Sequence, residues 1–198
     1  AGRHLLNLIN EILDISRIEA GAMQLSLEPV NLDDVLHEAL DIMRPLAAER
    51  AIEFTAPVRT DRPVYVLADL QRFKQVLLNL FSNAVKYSPE KGKVSISYRS
   101  SGEGAIRIVV SDMGSGIASE KLSRLFTPFD RLGAEQSAVE GTGLGLALSA
   151  RIIHAMGGGI GASSAIGRGS TFWVDLPRAE PPSIAEPEHS EDEPALDQ

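Results

Sequence analysis

Apolar residues recur at steps of three and four through the first twenty positions. They are Leu5, Leu8, Ile9, Ile12, Ile15 and Ile18, with Glu11, Asp14 and Arg17 between them. That period predicts one amphipathic helix, ended by Gly21. Leu6 and Leu13 widen the stripe, so the helix faces more than one neighbour and fits a bundle; a core helix of the following domain is the alternative. A second helix is expected from Asn31 to about Arg50, broken or kinked near Pro45. Ile52–Thr55 and Val64–Ala68 read as short strands. Asp69 then stands where an N-cap belongs, ahead of a strong helix through Tyr87 that Ser88-Pro89 stops.

Further on the period changes. Lys93–Arg99 and Ile106–Ser111 alternate like strands, joined by Ser101-Gly102-Glu103-Gly104. Gly141 to Met156 reads as a glycine-led helix. Ile160–Ala165 and Thr171–Leu176 read as a closing hairpin across Gly167-Arg168-Gly169. Beyond Pro177, four prolines and a run of acids leave too little apolar surface to offset chain entropy. Residues 178–198 are therefore expected to be a disordered tail.

The Asp69–Tyr87 helix divides sharply. Leu70, Phe73, Val76, Leu77, Leu80, Phe81, Ala84 and Val85 form its core stripe. Gln75, Asn79, Ser82, Asn83, Lys86 and Tyr87 form the other face. Asn79 and Asn83 lie four residues apart and project together, with Lys86 a turn further on. Asparagine is a poor interior helix former, so two in one row need a reason. A carboxamide oxygen is a hard neutral ligand suited to Mg²⁺, and a lysine beside it suits phosphate. A merely solvated face is the plainer reading of that row taken alone.

Two glycine-rich segments change the balance. The strand through Ser111 ends in Asp112-Met113-Gly114-Ser115-Gly116-Ile117. A carboxylate there can accept from an exocyclic amine, and glycines let the backbone approach a planar ligand. Gly141-Thr142-Gly143-Leu144-Gly145-Leu146 opens a helix, offering free amides and a positive dipole end to phosphate. The spacing is not that of a dinucleotide fold, whose third glycine would fall at Leu146. Nor is it a P-loop, because no Gly-Lys-Ser/Thr follows.

Together these segments resemble the histidine kinases. QVLLNLFSNAVKYSP (75–89) looks like their N box, DMGSGI (112–117) the G1 box, LFTPFDRL (125–132) the F box and GTGLGL (141–146) the G2 box. GRGSTFWVDLP (167–177) is similar to the final glycine box and last strand. The resemblance covers about residues 30–177. It implies an α+β Bergerat fold: a mixed, mostly antiparallel sheet with helices on one face, plus the N-terminal bundle-type helix. It also implies ATP and Mg²⁺ as cofactors. Asn83 would coordinate Mg²⁺, Asn79 and Lys86 would contact phosphates, and Asn83 with Lys86 would carry the catalytic role. Tyr87 would stack on adenine and Asp112 would bind its amine. Gly114, Gly116, Ile117, Phe126, Gly141, Thr142, Gly143, Leu144, Gly145, Leu146 and Thr171 would complete the nucleotide site. Arg131 would contact the γ-phosphate. Met113 to Glu140 would form a lid anchored by Phe126 and Phe129; the polar run Ala134–Glu140 is long, as closing loops are. Met113 departs from the threonine common there, which puts one minor hydrogen bond near the base in doubt.

Position 79 separates the relatives. In ATPases of this fold and its anti-sigma serine kinases the site resembles a glutamate acting as general base. Asn79 accepts no proton at neutral pH, which points to a phosphate donor and away from a water-activating enzyme. A Bergerat-fold ATPase or a non-catalytic nucleotide-gated interaction module are the alternatives.

Composition alters this reading in few places. The net charge of −8 is concentrated at the end: residues 178–198 hold seven acids against one arginine, leaving −2 for the rest. No nucleic-acid partner is expected. With no cysteine, a disulfide framework and a thiolate metal site are both excluded. No apolar run approaches the ~18 residues of a membrane span.

No histidine fits the family's acceptor box, His-Glu or His-Asp continuing to a proline. His4 precedes Leu-Leu-Asn; His37 precedes Glu38 but lacks the continuation; His154 reads as a helix packing residue; His189 lies in the tail. HLLNLINEILDISRIEAG (4–21) instead resembles the second helix of the dimerisation and phosphotransfer hairpin. The expected organisation is therefore that partial helix over 1–21, a linker over 22–30, an ATP-binding domain over 31–177 and the tail. The expected partners are an acceptor helix upstream of Ala1, a second protomer forming a homodimer, and a response-regulator receiver domain. A cytoplasmic location is expected, with membrane anchoring of a longer parent left open.

Overall fold

Every second side chain is buried along Ala105–Asp112 (β5) and along the first seven residues of Ser170–Ala179 (β7). Ile106, Ile108, Val110 and Asp112 point inward, as do Ser170, Phe172, Val174 and Leu176. Strict alternation means a sheet covered on one face only. The computed structural model describes residues 2–59, 61–102, 104–130 and 141–182, with the side chains of residues 2–5 and 7 left aside. The chain order is α1 (Gly2–Glu19), β1 (Glu28–Asn31), α2 (Leu32–Glu49), β2 (Glu53–Thr55), β3 (Tyr65–Ala68), α3 (Leu70–Tyr87), β4 (Lys93–Ser100), β5, α4 (Ser119–Leu122), α5 (Gly145–Ala155), β6 (Gly159–Ser164) and β7.

Among the described residues seven strands form one sheet in the order β1-β3-β7-β5-β4-β2, with β6 also paired to β7. The pairings are antiparallel except β2 with β4, as the resemblance implied for a mixed sheet. Registers such as Ile96↔Val110 and Ile108↔Val174 align the inward rows across three strands. Helices α2, α3 and α5 cover that row, and Phe73, Leu77, Phe81, Leu36 and Ile152 are wholly buried between the layers. On the open face, Arg107 pairs with Asp175 at 2.7 and 2.8 Å and lies 5.0 Å from the centre of the Trp173 ring. Asp33, at the start of α2, accepts from the Tyr98 hydroxyl of β4 at 2.8 Å. Burial, then that bond, push the Tyr98 pKa up to about 12, so the phenol keeps its proton.

One side of the α1 helix packs on the core of the following domain. Ile15 is buried, and Leu8 and Ile18 pack on the same core. Asp14 pairs with Arg72 at 2.9 Å and Glu19 with Arg151 at 2.7 Å. Its other side exposes Leu6, Ile9, Ile12 and Leu13. Among the described residues no helix is long and apolar enough to cross a membrane.

Several expectations are corrected. Residues 28–31 form β1 against β3, so the segment expected as linker over 22–30 loses its last three residues to the sheet. β7 runs on through Ala179, where Arg178 and Ala179 pair with β3, and the tail expectation from 183 onward lies outside the described residues. The α2 helix is continuous through Pro45. Pro45 and Asp41 are both exposed, so water meets the carbonyl that the proline leaves unbonded. The α5 helix begins at Gly145, four residues late, because the glycines before it form a loop. His154 is exposed, not packed. Leu70 is 37% exposed and leaves the α3 core stripe. Leu77→Ala is expected to cost about 2–5 kcal/mol, and Leu70→Ala less than about 1 kcal/mol. Urea titration of both variants measures the difference.

Candidate functional site

The α3 helix starts where it does because Asp69 caps it. One carboxylate oxygen accepts from the Arg72 N–H at 3.1 Å and the other from the Ser26 N–H at 3.0 Å. It stops because Ser88 is extended ahead of Pro89. With its apolar stripe pressed on the sheet, the polar row is forced to one side, between two glycine-bearing loops.

The structure treats the members of that row differently. Asn79 donates from Nδ2 to Ser149 Oγ of α5 at 2.9 Å. Its Oδ1 fills the space where a Cβ at Gly145 would stand. Asn79 is thus committed to holding α5 against α3. Asn83 and Lys86 are half-buried, Tyr87 is 47% exposed, and none of the three makes a side-chain hydrogen bond or ion pair among the described residues. These are the groups left for a ligand.

The loop after β5 closes on the far end of α3. Asp112 is 8% exposed. Its Oδ1 accepts from the Gly114 N–H at 2.8 Å and the Ser170 N–H at 3.3 Å. No other partner occupies its second oxygen among the described residues. Burial raises the Asp112 pKa above the usual carboxylate value, and the two backbone bonds oppose that only in part. Gly114 is needed because a Cβ would come 2.5 Å from the Tyr87 carbonyl. At Gly116 and Gly169, both with φ in the left-handed region, a Cβ would overlap the Ala165 and Asp112 carbonyls. Ser164 ties this loop to the last hairpin: its Oγ accepts from the Ile117 N–H at 2.8 Å and donates to the Gly169 carbonyl at 2.7 Å. The glycines therefore serve close packing of backbone on backbone, where the sequence reading had them admit a ligand.

The second loop meets the start of α5. Among the described residues no side chain caps that helix, so its first amides stay open. Thr142 Oγ1 accepts from the Leu144 N–H at 3.1 Å and donates to Glu11 Oε2 of α1 at 2.9 Å. Gly143 has φ 71°, and its carbonyl accepts from the Phe129 N–H at 3.0 Å. Gly141 is exposed and free of close neighbours.

The structure brings Gly114 beside Tyr87 and Gly145 beside Asn79, but it does not place all of the expected residues against α3. Leu144 is wholly buried and its N–H is taken by Thr142, and Leu146 leans into the core. Thr171 is on the wrong face: it bonds Ser111 at 2.9 Å on the open side of the sheet, because strand residues alternate. Ser170, one residue earlier, is the one beside Asp112. Phe126 packs on the core, whereas the Phe129 side chain is 63% exposed and only its backbone anchors the segment. Arg131, Gly133 and Ala134–Glu140 lie outside the described residues. Ser149, Ser164, Ser170 and Glu11 went unnoticed in the sequence, since lone serines and a surface glutamate carry no pattern.

Residues 68–180 match the family described as histidine kinase-, DNA gyrase B- and HSP90-like ATPase. The chain is similar to the sensor histidine kinase GacS of Pseudomonas protegens, 39% identical over 176 residues, 87% of this chain and 19% of that protein. Among solved structures, full-length ShkA in complex with AMPPNP matches with a TM-score of 0.77 at 37% identity, over 90% of this chain and 36% of that one. Histidine kinase ThkA in complex with response regulator protein TrrA matches with a TM-score of 0.70 at 26% identity, over 89% and 48%. The chain spans about a fifth of the length of the curated relatives it matches.

Asp112→Asn separates binding from folding. Because the folded-state pKa is raised, the folded chain holds this proton more tightly than the unfolded one, and the ionised group costs stability at neutral pH. That cost fades as pH falls through the raised value. The amide keeps the acceptor for Gly114 and Ser170, so thermal melts at pH 7 are expected to show no loss of stability. It turns a donor toward any ligand amine, so ATP affinity is expected to fall about 10–100-fold by calorimetry.

Proposed function

Since the chain belongs to the histidine kinase-, DNA gyrase B- and HSP90-like ATPase family and carries the ATP-binding catalytic domain of a sensor histidine kinase, we propose that residues 31–177 bind Mg-ATP along α3. The γ-phosphate then passes to a histidine outside this chain. The observation that carries the proposal is the division of the α3 row: Asn79 is held by α5, while Asn83, Lys86 and Tyr87 have no side-chain hydrogen bond or ion pair among the described residues.

Each part of the nucleotide has a group of suitable chemistry. The open oxygen of Asp112 suits the adenine amine, and the half-exposed Tyr87 ring suits its face. The uncapped start of α5 suits phosphate, with Lys86 as a point charge beside it. Asn83 fits Mg²⁺ as one neutral oxygen ligand, the rest coming from phosphate and water. No group of three or more His, Cys, Asp or Glu suited to a metal occurs among the described residues, so metal and triphosphate would bind together. The metal would neutralise charge on the triphosphate.

The transfer is a displacement at phosphorus. An imidazole nitrogen forms the new N–P bond, the bond from the γ-phosphorus to the β,γ-bridging oxygen breaks, and ADP leaves. Asn79 offers no base for water, and the proton on the attacking imidazole goes to a group of the acceptor helix.

We take α1, within residues 1–21, as the second helix of the dimerisation and phosphotransfer hairpin. Its exposed row of Leu6, Ile9, Ile12 and Leu13 suits burial against an acceptor helix and a second protomer. A response-regulator aspartate is the proposed next acceptor, on the analogy of ThkA, which was crystallised with TrrA. Use of ATP fits a cytoplasmic location.

Incubating the full chain with an acceptor hairpin and γ-labelled ATP is expected to place label on histidine. Release of free phosphate alone would favour an ATPase, and no label at all a nucleotide-gated module. In the same preparation Asn83→Asp is expected to weaken Mg-ATP binding at least about tenfold without lowering the melting temperature. Unchanged affinity would remove Asn83 from the metal site.

A further inference from the structure

Arg50 ends α2 and reaches across to the end of α3. Its backbone is fixed on both sides: its N–H donates to the Ala47 carbonyl, and its own carbonyl accepts from the Lys91 N–H at 3.0 Å. The guanidinium donates to the Val85 carbonyl, to the Lys86 carbonyl at 2.6 Å and to the Ser88 carbonyl at 2.9 Å. These oxygens lack helical partners because α3 stops at Ser88-Pro89. A planar five-donor fork can span them, and a cation there also meets the negative end of the helix dipole.

The carbonyl that Arg50 skips is the informative one. Tyr87 turns its oxygen to Gly114, where no side chain fits. The guanidinium therefore grips the chain on both sides of the residue on which the Asp112–Gly114 loop rests. The buried Ser88 hydroxyl makes no hydrogen bond among the described residues and contributes nothing to holding this segment. The phosphate half of the site is secured elsewhere, through Asn79 with Ser149 and Thr142 with Glu11.

We infer that Arg50 is a positioning residue for the base-binding half of the nucleotide site: by locking the carbonyls of Val85, Lys86 and Ser88 it sets Tyr87 and the Asp112–Gly114 loop at the separation adenine requires. This rests on the proposed ATP site. It makes Arg50 matter to the base and not to the phosphates, although it touches neither.

The test uses the full chain with Mg²⁺ and compares ATP with inorganic triphosphate, by calorimetry well below each melting midpoint. Arg50→Lys keeps the charge and loses the fork, so it is the variant that leaves folding least disturbed. ATP is expected to bind it about tenfold more weakly, with triphosphate affinity changed less than about twofold. In Arg50→Ala the loss of ATP affinity is expected to be larger and to be partly restored by added methylguanidinium. ATP affinity equal to wild type in folded Arg50→Lys, whatever the melting temperature, overturns the inference, because a purely structural cap would behave so. An equal loss for ATP and triphosphate overturns it too. If the wild type itself fails to bind ATP, the nucleotide reading falls first and this one with it.

Discussion

The site depends on how α3 is pinned. Phe73, Val76, Leu77, Leu80, Phe81, Ala84 and Val85 bury a continuous stripe against the sheet, between α2 and α5. At about 25 cal/mol per Å² of apolar surface, seven such side chains outweigh any surface interaction nearby. The helix cannot roll without exposing them. Its polar row is therefore held at a constant angle, and Asn83 and Lys86 need no partners of their own to be placed. The helix ends are set by different means: Asp69 at the start, Arg50 and Pro89 at the finish.

Around that rod the loops are fitted by exclusion. Gly114, Gly116, Gly145 and Gly169 each sit where a single methyl group would collide with protein, so backbone and side chains interlock with no side chain between them. Loops of this kind usually need many contacts to hold a shape; here serines supply them, with Ser164 on one side and Ser149 on the other. The result is a site in which some polar groups serve as supports and others have no partner among the described residues. Asn79 and Asn83, chemically identical and one turn apart, fall on opposite sides of that division.

Charge is sparing at this site. Asp112 is the one carboxylate buried beside α3 among the described residues, and its burial is costly enough to raise its pKa despite two backbone donors. A group that costs stability and persists beside an open face is a common mark of a binding role. The other nearby acid, Glu11, belongs to α1 and meets the Thr142 hydroxyl next to the open amides of α5. That contact brings a negative charge from the first helix to the loop proposed to hold phosphate, so the seating of α1 and the charge around that loop are physically linked.

Much of this was legible in the chain. Periodicity sufficed for α1, α2 and α3, because a 3.6-residue stripe reports which face is buried whatever it packs against. The Asp69 cap and the Ser88-Pro89 stop were equally local. So were the order of the glycine boxes and the absence of an acid at position 79. The misreadings share a cause. Whether Thr171 or Ser170 faces Asp112 depends on strand register, and β1 is a strand only because β3 lies beside it. The late start of α5, the exposure of Leu70 and His154, and the unbroken run through Pro45 depend on what covers each position. Nothing in the order of residues announces that Arg50 meets carbonyls some 35 positions away, or that Asn79 is consumed by Ser149. Sequence alone determined which groups are available, since chemistry and short-range sterics are written residue by residue. Only the tertiary structure decided which remain free, because that depends on partners brought close by burial of residues far along the chain.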